Sequence, residues 1–139
     1  MPLNILVPTD GSPSAEKALV EALGLARKLG GKVSVVNVIE PLSWTVASPE
    51  SIVFEKKMSE YQKSVLKRAA AIAKQQKVRI SSHGLVGNVA EQILSFAKKG
   101  RFGLVVLGNR GLSDVDRFLL GSVSDRVAHH SACSVLVVK

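Results

Sequence analysis

Cysteine is nearly absent from this chain: Cys133 is the single one in 139 residues. An internal disulfide framework is therefore excluded, and the expectation is a cytoplasmic protein. Aromatic residues make up 4%, with one Trp and one Tyr, so stacking platforms for single-stranded nucleic acid are scarce. No apolar run approaches the roughly 18 residues of a membrane span. The opening Met1-Pro2-Leu3-Asn4-Ile5-Leu6-Val7-Pro8-Thr9-Asp10 has no basic stretch and soon reaches an acid. It reads as a first strand and not as a secretory leader. Two familiar phosphate fingerprints are missing as well. No Gly-Lys-Ser/Thr follows a glycine-rich turn, and strand one runs into Pro8-Thr9-Asp10-Gly11-Ser12 instead of G-x-G-x-x-G. The histidines show no metal pattern: His129 and His130 are neighbours on one helix and so point apart. No nucleophile–base pair can be assigned, so no catalytic residue is expected.

What is present has the size of one domain, residues 1–139, with 46% apolar residues to build a core. Nineteen Lys and Arg against 11 Asp and Glu give a formal charge of +8, which favours anionic ligands or surfaces. The basic residues Lys56, Lys57, Lys63, Lys67, Arg68, Lys74 and Lys77 are spread along a helical segment. A solvated face is expected there in preference to a nucleic-acid site.

Periodicity divides the chain into alternating strands and helices. Ile5-Leu6-Val7 reads as strand one. Ser12 to Gly30 reads as a helix, with apolar residues from Ala15 to Leu29 at three- and four-residue steps, Ser12 or Ser14 as cap and Gly30-Gly31 as stop. Val33–Ile39 is strand two. A long helix spans about Pro49 to Gln76, its stripe formed by Phe54, Met58, Tyr61, Val65, Ala69 and Ile72. Val78–Val86 is strand three, and Asn88 caps a helix that Gly100 closes. Strand four is Leu104–Leu107, a helix opens near Ser122, and Val135–Val138 is strand five. This alternation implies an α/β fold, a five-stranded parallel sheet with helices on both faces. A flavodoxin-like sheet has the same element order and stands as the alternative.

The most informative stretch follows strand four. Gly108-Asn109-Arg110-Gly111 is separated by nine residues from Gly121-Ser122-Val123-Ser124. A Gly-rich turn after an apolar run marks the carboxyl end of a buried strand, where α/β proteins hold ligands. The second cluster opens a helix, whose N–H groups and dipole favour anions. Ser122 and Ser124 add hydroxyls. Arg110 adds charge, or is a solvated loop residue. Asp10 stands at the end of strand one, placed either to meet a ribose or a phosphate-held metal, or simply to form an Asp-Gly turn. Asn88 with Glu91 three positions on reads as a capping pair. Cys133 reads as a small packed hydrophobe, and Trp44 as a loop residue.

The chain resembles the universal stress protein family over nearly its whole length. The resemblance is carried by Ile5-Leu6-Val7-Pro8-Thr9-Asp10-Gly11-Ser12, by Val36-Asn37-Val38-Ile39, by the tail Val135–Val138, and by the G-x2-G-x9-G-S pattern from Gly108 to Ser122. That pattern is similar to the signature of the family's ATP-binding branch. The resemblance implies a Rossmann-like, adenine nucleotide alpha hydrolase-like sheet of order 3-2-1-4-5. It implies ATP with Mg²⁺ across the ends of strands one and four, and at most weak hydrolysis. Pro8, Thr9 and Val38 would hold adenine, and Asp10 would serve the ribose or a magnesium-bridged phosphate. Leu107, Gly108 and Gly111 would flank ribose and phosphates, and Gly121, Ser122, Val123 and Ser124 would bind the phosphate chain. A homodimer through strand 134–138 is implied too, acting as a regulatory module in stress response. A slow nucleotide-consuming enzyme and a nucleotide-free dimeric scaffold are the alternatives. Departures are Asn37 where the family often has His, Asn109 where Ser or His is frequent, the absence of proline from Ser131-Ala132-Cys133-Ser134, and Asp114 and Asp116 between the glycine clusters.

Overall fold

A computed structural model describes residues 2–41, 48–110 and 120–139. The elements run β1 (Asn4–Pro8), α1 (Pro13–Leu29), β2 (Lys32–Ile39), α2 (Pro49–Gln75), β3 (Ile80–Val86), α3 (Val89–Lys99), β4 (Leu104–Gly108), α4 (Ser122–His130) and β5 (Ser134–Val138). The sheet order is β3-β2-β1-β4-β5, with every neighbouring pair parallel. This is the 3-2-1-4-5 order, and the flavodoxin-like alternative is set aside. Among the described residues no helix is long and apolar enough to cross a membrane.

Strand residues alternate between two cores, as a period of two requires. Ile5, Val7, Val33, Val35 and Val106 face α1 and α2. Leu6, Val36, Val105 and Leu107 face α3 and α4. The helix ends follow local chemistry. Ser12 accepts the Ala15 N–H at 3.2 Å and so is the α1 cap. Gly30 closes α1 in the left-handed conformation, φ 69°. Ser48 and Ser51 form a reciprocal capping box at the start of α2. The third strand starts at Ile80, two residues later than the β-branched pattern indicates. Lys77 takes φ 58°, and the Val78 N–H turns back to the Ala73 carbonyl at 3.0 Å to close α2.

The apolar stripe expected along α2 packs in its second half. Val65, Ala69 and Ile72 are buried, whereas Ile52, Val53, Phe54 and Tyr61 are exposed. Length explains this. A helix of 27 residues spans about 40 Å, whereas a strand of eight residues spans about 26 Å. The helix therefore outruns the sheet that buries it.

Candidate functional site

β1 lies between β2 and β4, and the register pairs Ile5 with Leu104 and Leu6 with Val105. The chain leaves β1 towards one side of the sheet and adds β4 on the other. The carboxyl ends of β1 and β4 thus flank a topological switch point, where open α/β sheets form their crevice. A cleft of about 260 Å³ opens there, just below the usual range of small-molecule sites.

One wall comes from the end of β1. The Thr9 N–H donates to the Val36 carbonyl at 2.8 Å. The buried Asn37 side chain donates through Nδ2 to the Thr9 carbonyl at 2.8 Å. Asp10 Oδ1 accepts the Ser12 N–H at 2.9 Å, and Thr9 Oγ1 accepts the Gly11 N–H at 3.2 Å. Gly11 sits at φ 82°, a conformation that glycine adopts without strain. The Asp-Gly pair therefore does build a tight turn, and Asp10 within it lines the cleft. The hydroxyl of Tyr61 donates to the Asp10 carbonyl at 2.7 Å. Partial burial first, and the Asp10 charge second, raise the Tyr61 phenol above its ordinary pKa of 10.

The other wall comes from the end of β4 and the start of α4. Gly108 lies against the first turn of α1: a Cβ there would strike the Ser14 hydroxyl and reach 2.7 Å from the Ser14 backbone carbonyl. Ser14 Oγ donates to Asn109 Oδ1 at 3.3 Å and accepts the Arg110 N–H at 3.4 Å. The Gly121 N–H donates to the Asn109 carbonyl at 2.6 Å. Ser124 Oγ gives its proton to the Gly108 carbonyl at 2.6 Å. That proton ties α4 to β4, a task the spacing did not indicate. Gly121 is the N-cap of α4 and offers no side-chain cap. The helical ladder begins when Asp125 N–H reaches the Gly121 carbonyl at 2.8 Å. The N–H groups of Ser122, Val123 and Ser124 precede it, which leaves them outside the ladder of α4 itself.

Pro8, Thr9, Asp10, Val38, Leu107, Gly108, Arg110, Ser122, Val123 and Ser124 all line the cleft. Gly121 stands at the N-cap of α4 but is not among the lining residues. Gly111, Asp114, Asp116 and Trp44 lie outside the described residues. Sequence reasoning missed Val36, Val89 and Ile93, which supply the apolar floor, and Ala15 at the start of α1. Their signal was the strand and helix periodicity, which marks core and cleft floor alike. Among the described residues no three His, Cys, Asp or Glu side chains gather to hold a metal.

A doubly wound parallel sheet with a switch-point cleft, apolar on its floor and edged by helix-start amides, is the architecture in which open α/β proteins place their ligands. The profile of the Universal stress protein family matches residues 1–139, and the chain belongs to that family. It is 32% identical over 137 residues to a universal stress protein of Methanocaldococcus jannaschii, covering 97% of this chain and 81% of that one. The fold also matches the crystal structure of a universal stress protein in complex with cAMP, with TM-score 0.77 and 28% identity, covering 99% of this chain and 97% of that one. A universal stress protein from Archaeoglobus fulgidus in complex with dAMP matches with TM-score 0.67 and 26% identity, covering 100% of this chain and 98% of the other.

Proposed function

We propose that this chain is a regulatory module that binds an adenine nucleotide, ATP with Mg²⁺, in the switch-point cleft. The observation that carries the reading is the pairing, in one cleft, of an apolar floor with the leading N–H groups of α4. A purine suits the floor formed by Val36, Val38 and Ile93. Phosphates suit the N–H groups of Ser122, Val123 and Ser124, where the helix dipole adds attraction. The relatives bound to cAMP and dAMP support the same ligand class.

Arg110 lines the same cleft and adds positive charge near the phosphates. Asp10 is the carboxylate placed to meet the ribose or a metal. Mg²⁺ takes one or two carboxylates together with phosphate oxygens and waters, so this donor set fits the ion. Bound there, Mg²⁺ neutralises phosphate charge. The reading assigns no catalytic residue and expects hydrolysis to be slow at most. Asp10 Oδ1 accepts the Ser12 N–H.

The proposal includes a homodimer through Ser134–Val138. β5 is an edge strand, its Leu136 is 38% exposed, and an apolar edge favours pairing with another chain. Dimers in the cytoplasm, responding to stress through the bound state, complete the reading. The test is mass spectrometry of nucleotide released on denaturation, followed by calorimetric titration with ATP and Mg²⁺. Co-purified nucleotide or binding heat supports the module. An empty protein with no binding heat and no thermal shift at millimolar ATP removes it, because a ligand specific to the folded state must stabilise that state.

A further inference from the structure

α2 reaches the backbone beside the candidate cleft through two consecutive side chains, Tyr61 and Gln62. Tyr61 donates to the carbonyl of Asp10 at 2.7 Å. Gln62 Nε2 donates to the carbonyls of Asn37 at 2.8 Å and Leu85 at 3.0 Å. Gly84 accommodates that amide: a Cβ there would come within 2.8 Å of Gln62 Cδ. The two residues therefore hold different parts of the same wall. Tyr61 holds the turn after β1. Gln62 bridges the ends of β2 and β3, one residue before Val38.

Tyr61 lies at the exposed side of α2. Its side chain is 40% exposed, so water is at hand for its hydroxyl. It bonds instead to the peptide joining Asp10 to Gly11. That peptide precedes the left-handed Gly11, whose missing Cβ would lie 3.2 Å from Val65 Cγ2 and 3.4 Å from the Tyr61 hydroxyl. α2 thus lies directly over the turn. From the strand side, Asn37 holds the neighbouring Thr9 carbonyl. Two consecutive carbonyls of the ligand-facing turn are held by side chains from separate elements.

We infer that Tyr61 and Gln62 are positioning residues for the nucleotide site: they fix the Thr9–Gly11 turn and the end of β2, and so set where Asp10 stands relative to the ligand. The inference rests on the nucleotide reading above. It makes α2 the element that senses occupancy, because a ligand pressing on the turn from within the cleft alters the hydrogen bond on its outer side. The first buried residue of α2 is Val65, so this grip lies where the helix leaves the sheet. Burial first, and the Asp10 charge second, raise the pKa of the phenol.

The chain has one tyrosine, so protein carrying ¹³Cζ-labelled tyrosine gives a single ring-carbon resonance that reports this hydroxyl. Titration of the intact wild-type protein with ATP and Mg²⁺ should shift that resonance in step with binding. Tyr61→Phe keeps the ring and removes the hydroxyl. It should raise the Kd for ATP with Mg²⁺ by about two- to tenfold, the effect of one hydrogen bond, while the nucleotide-free protein still melts cooperatively, at a slightly lower temperature. A resonance unmoved at saturation overturns the inference, and so does an unchanged Kd in Tyr61→Phe. If that variant does not fold, the wild-type resonance decides alone. A wild type that binds no nucleotide overturns the nucleotide reading and this inference with it, whereas binding with a silent Tyr61 overturns this inference alone.

Discussion

The two walls of the cleft are built by opposite means. At the end of β1, side chains reach the backbone: Asn37 and Tyr61 donate to the Thr9 and Asp10 carbonyls, and Asp10 and Thr9 accept N–H groups of the following turn. At the start of α4 the N-cap is Gly121, which has no side chain to offer, and the leading N–H groups of the helix gain no partner from it. The first wall is held by the protein's own side chains, with Asn37 Oδ1 the buried side-chain atom left without a partner among the described residues. The second keeps donors in reserve at a site where the helix dipole is positive. The difference separates two roles, shape held in advance and affinity left for an anion. Gly108 and Ser14 join the walls, since the end of β4 rests on the first turn of α1.

The strongest way to break this arrangement is to push the walls apart. Gly108→Val places a branched side chain against Ser14 and should cost about 3 kcal/mol, the upper part of the overpacking range. Urea unfolding measures it, and an unchanged midpoint would mean that α1 yields without cost. Next comes Ser124→Ala, which removes the donor from the Gly108 carbonyl. A buried carbonyl left unpaired should cost about 1–2 kcal/mol of stability. Ser122 sits two residues away but is exposed. Ser122→Ala should leave the urea midpoint nearly unchanged and weaken ATP binding by about 0.5–1.5 kcal/mol. A large stability loss there, or none in Ser124→Ala, would erase the distinction between the anchoring and the ligand-facing serine.

The smallest effect is a pH dependence at the β1 wall. Folding raises the Tyr61 pKa, so below pH 10 both folded and unfolded chains hold the proton and this group leaves stability flat. As pH rises through 10 the unfolded chain releases the proton first, and stability falls. Tyrosinate absorbance at 295 nm should show a midpoint above 10, and Tyr61→Phe should remove this group's share of the alkaline slope. A midpoint at or below 10 would break the link between the phenol and Asp10.

Element order was legible because glycine, serine and asparagine punctuate this chain at its helix ends: Ser12, Gly30, Asn88 and Gly100 all stand where expected. The sheet order was legible by family likeness, since periodicity alone left a flavodoxin-like order open. The residues around the cleft were legible where a motif ran along one strand end. They were hidden where the contact crosses the chain. Tyr61 fits an apolar stripe, and no helical pattern reveals that its hydroxyl meets a carbonyl 51 residues away. Gly108 was expected to flank ribose and phosphates, and the sequence did not show that a Cβ there would also strike Ser14. The start of β3 was misplaced because a left-handed Lys77 is invisible to hydropathy.

The placement of β4 beside β1 has a consequence for synthesis on the ribosome. β1, β2 and β3 are made first, and in the folded chain β2 pairs with the other two. The other edge of β1 then waits for Leu104 and Val105, so the nascent chain carries an open, strongly apolar strand edge while α3 is still being translated. Such edges invite pairing with other nascent chains. Ribosome-associated chaperones should therefore engage this chain most strongly in the interval between the emergence of β3 and that of β4.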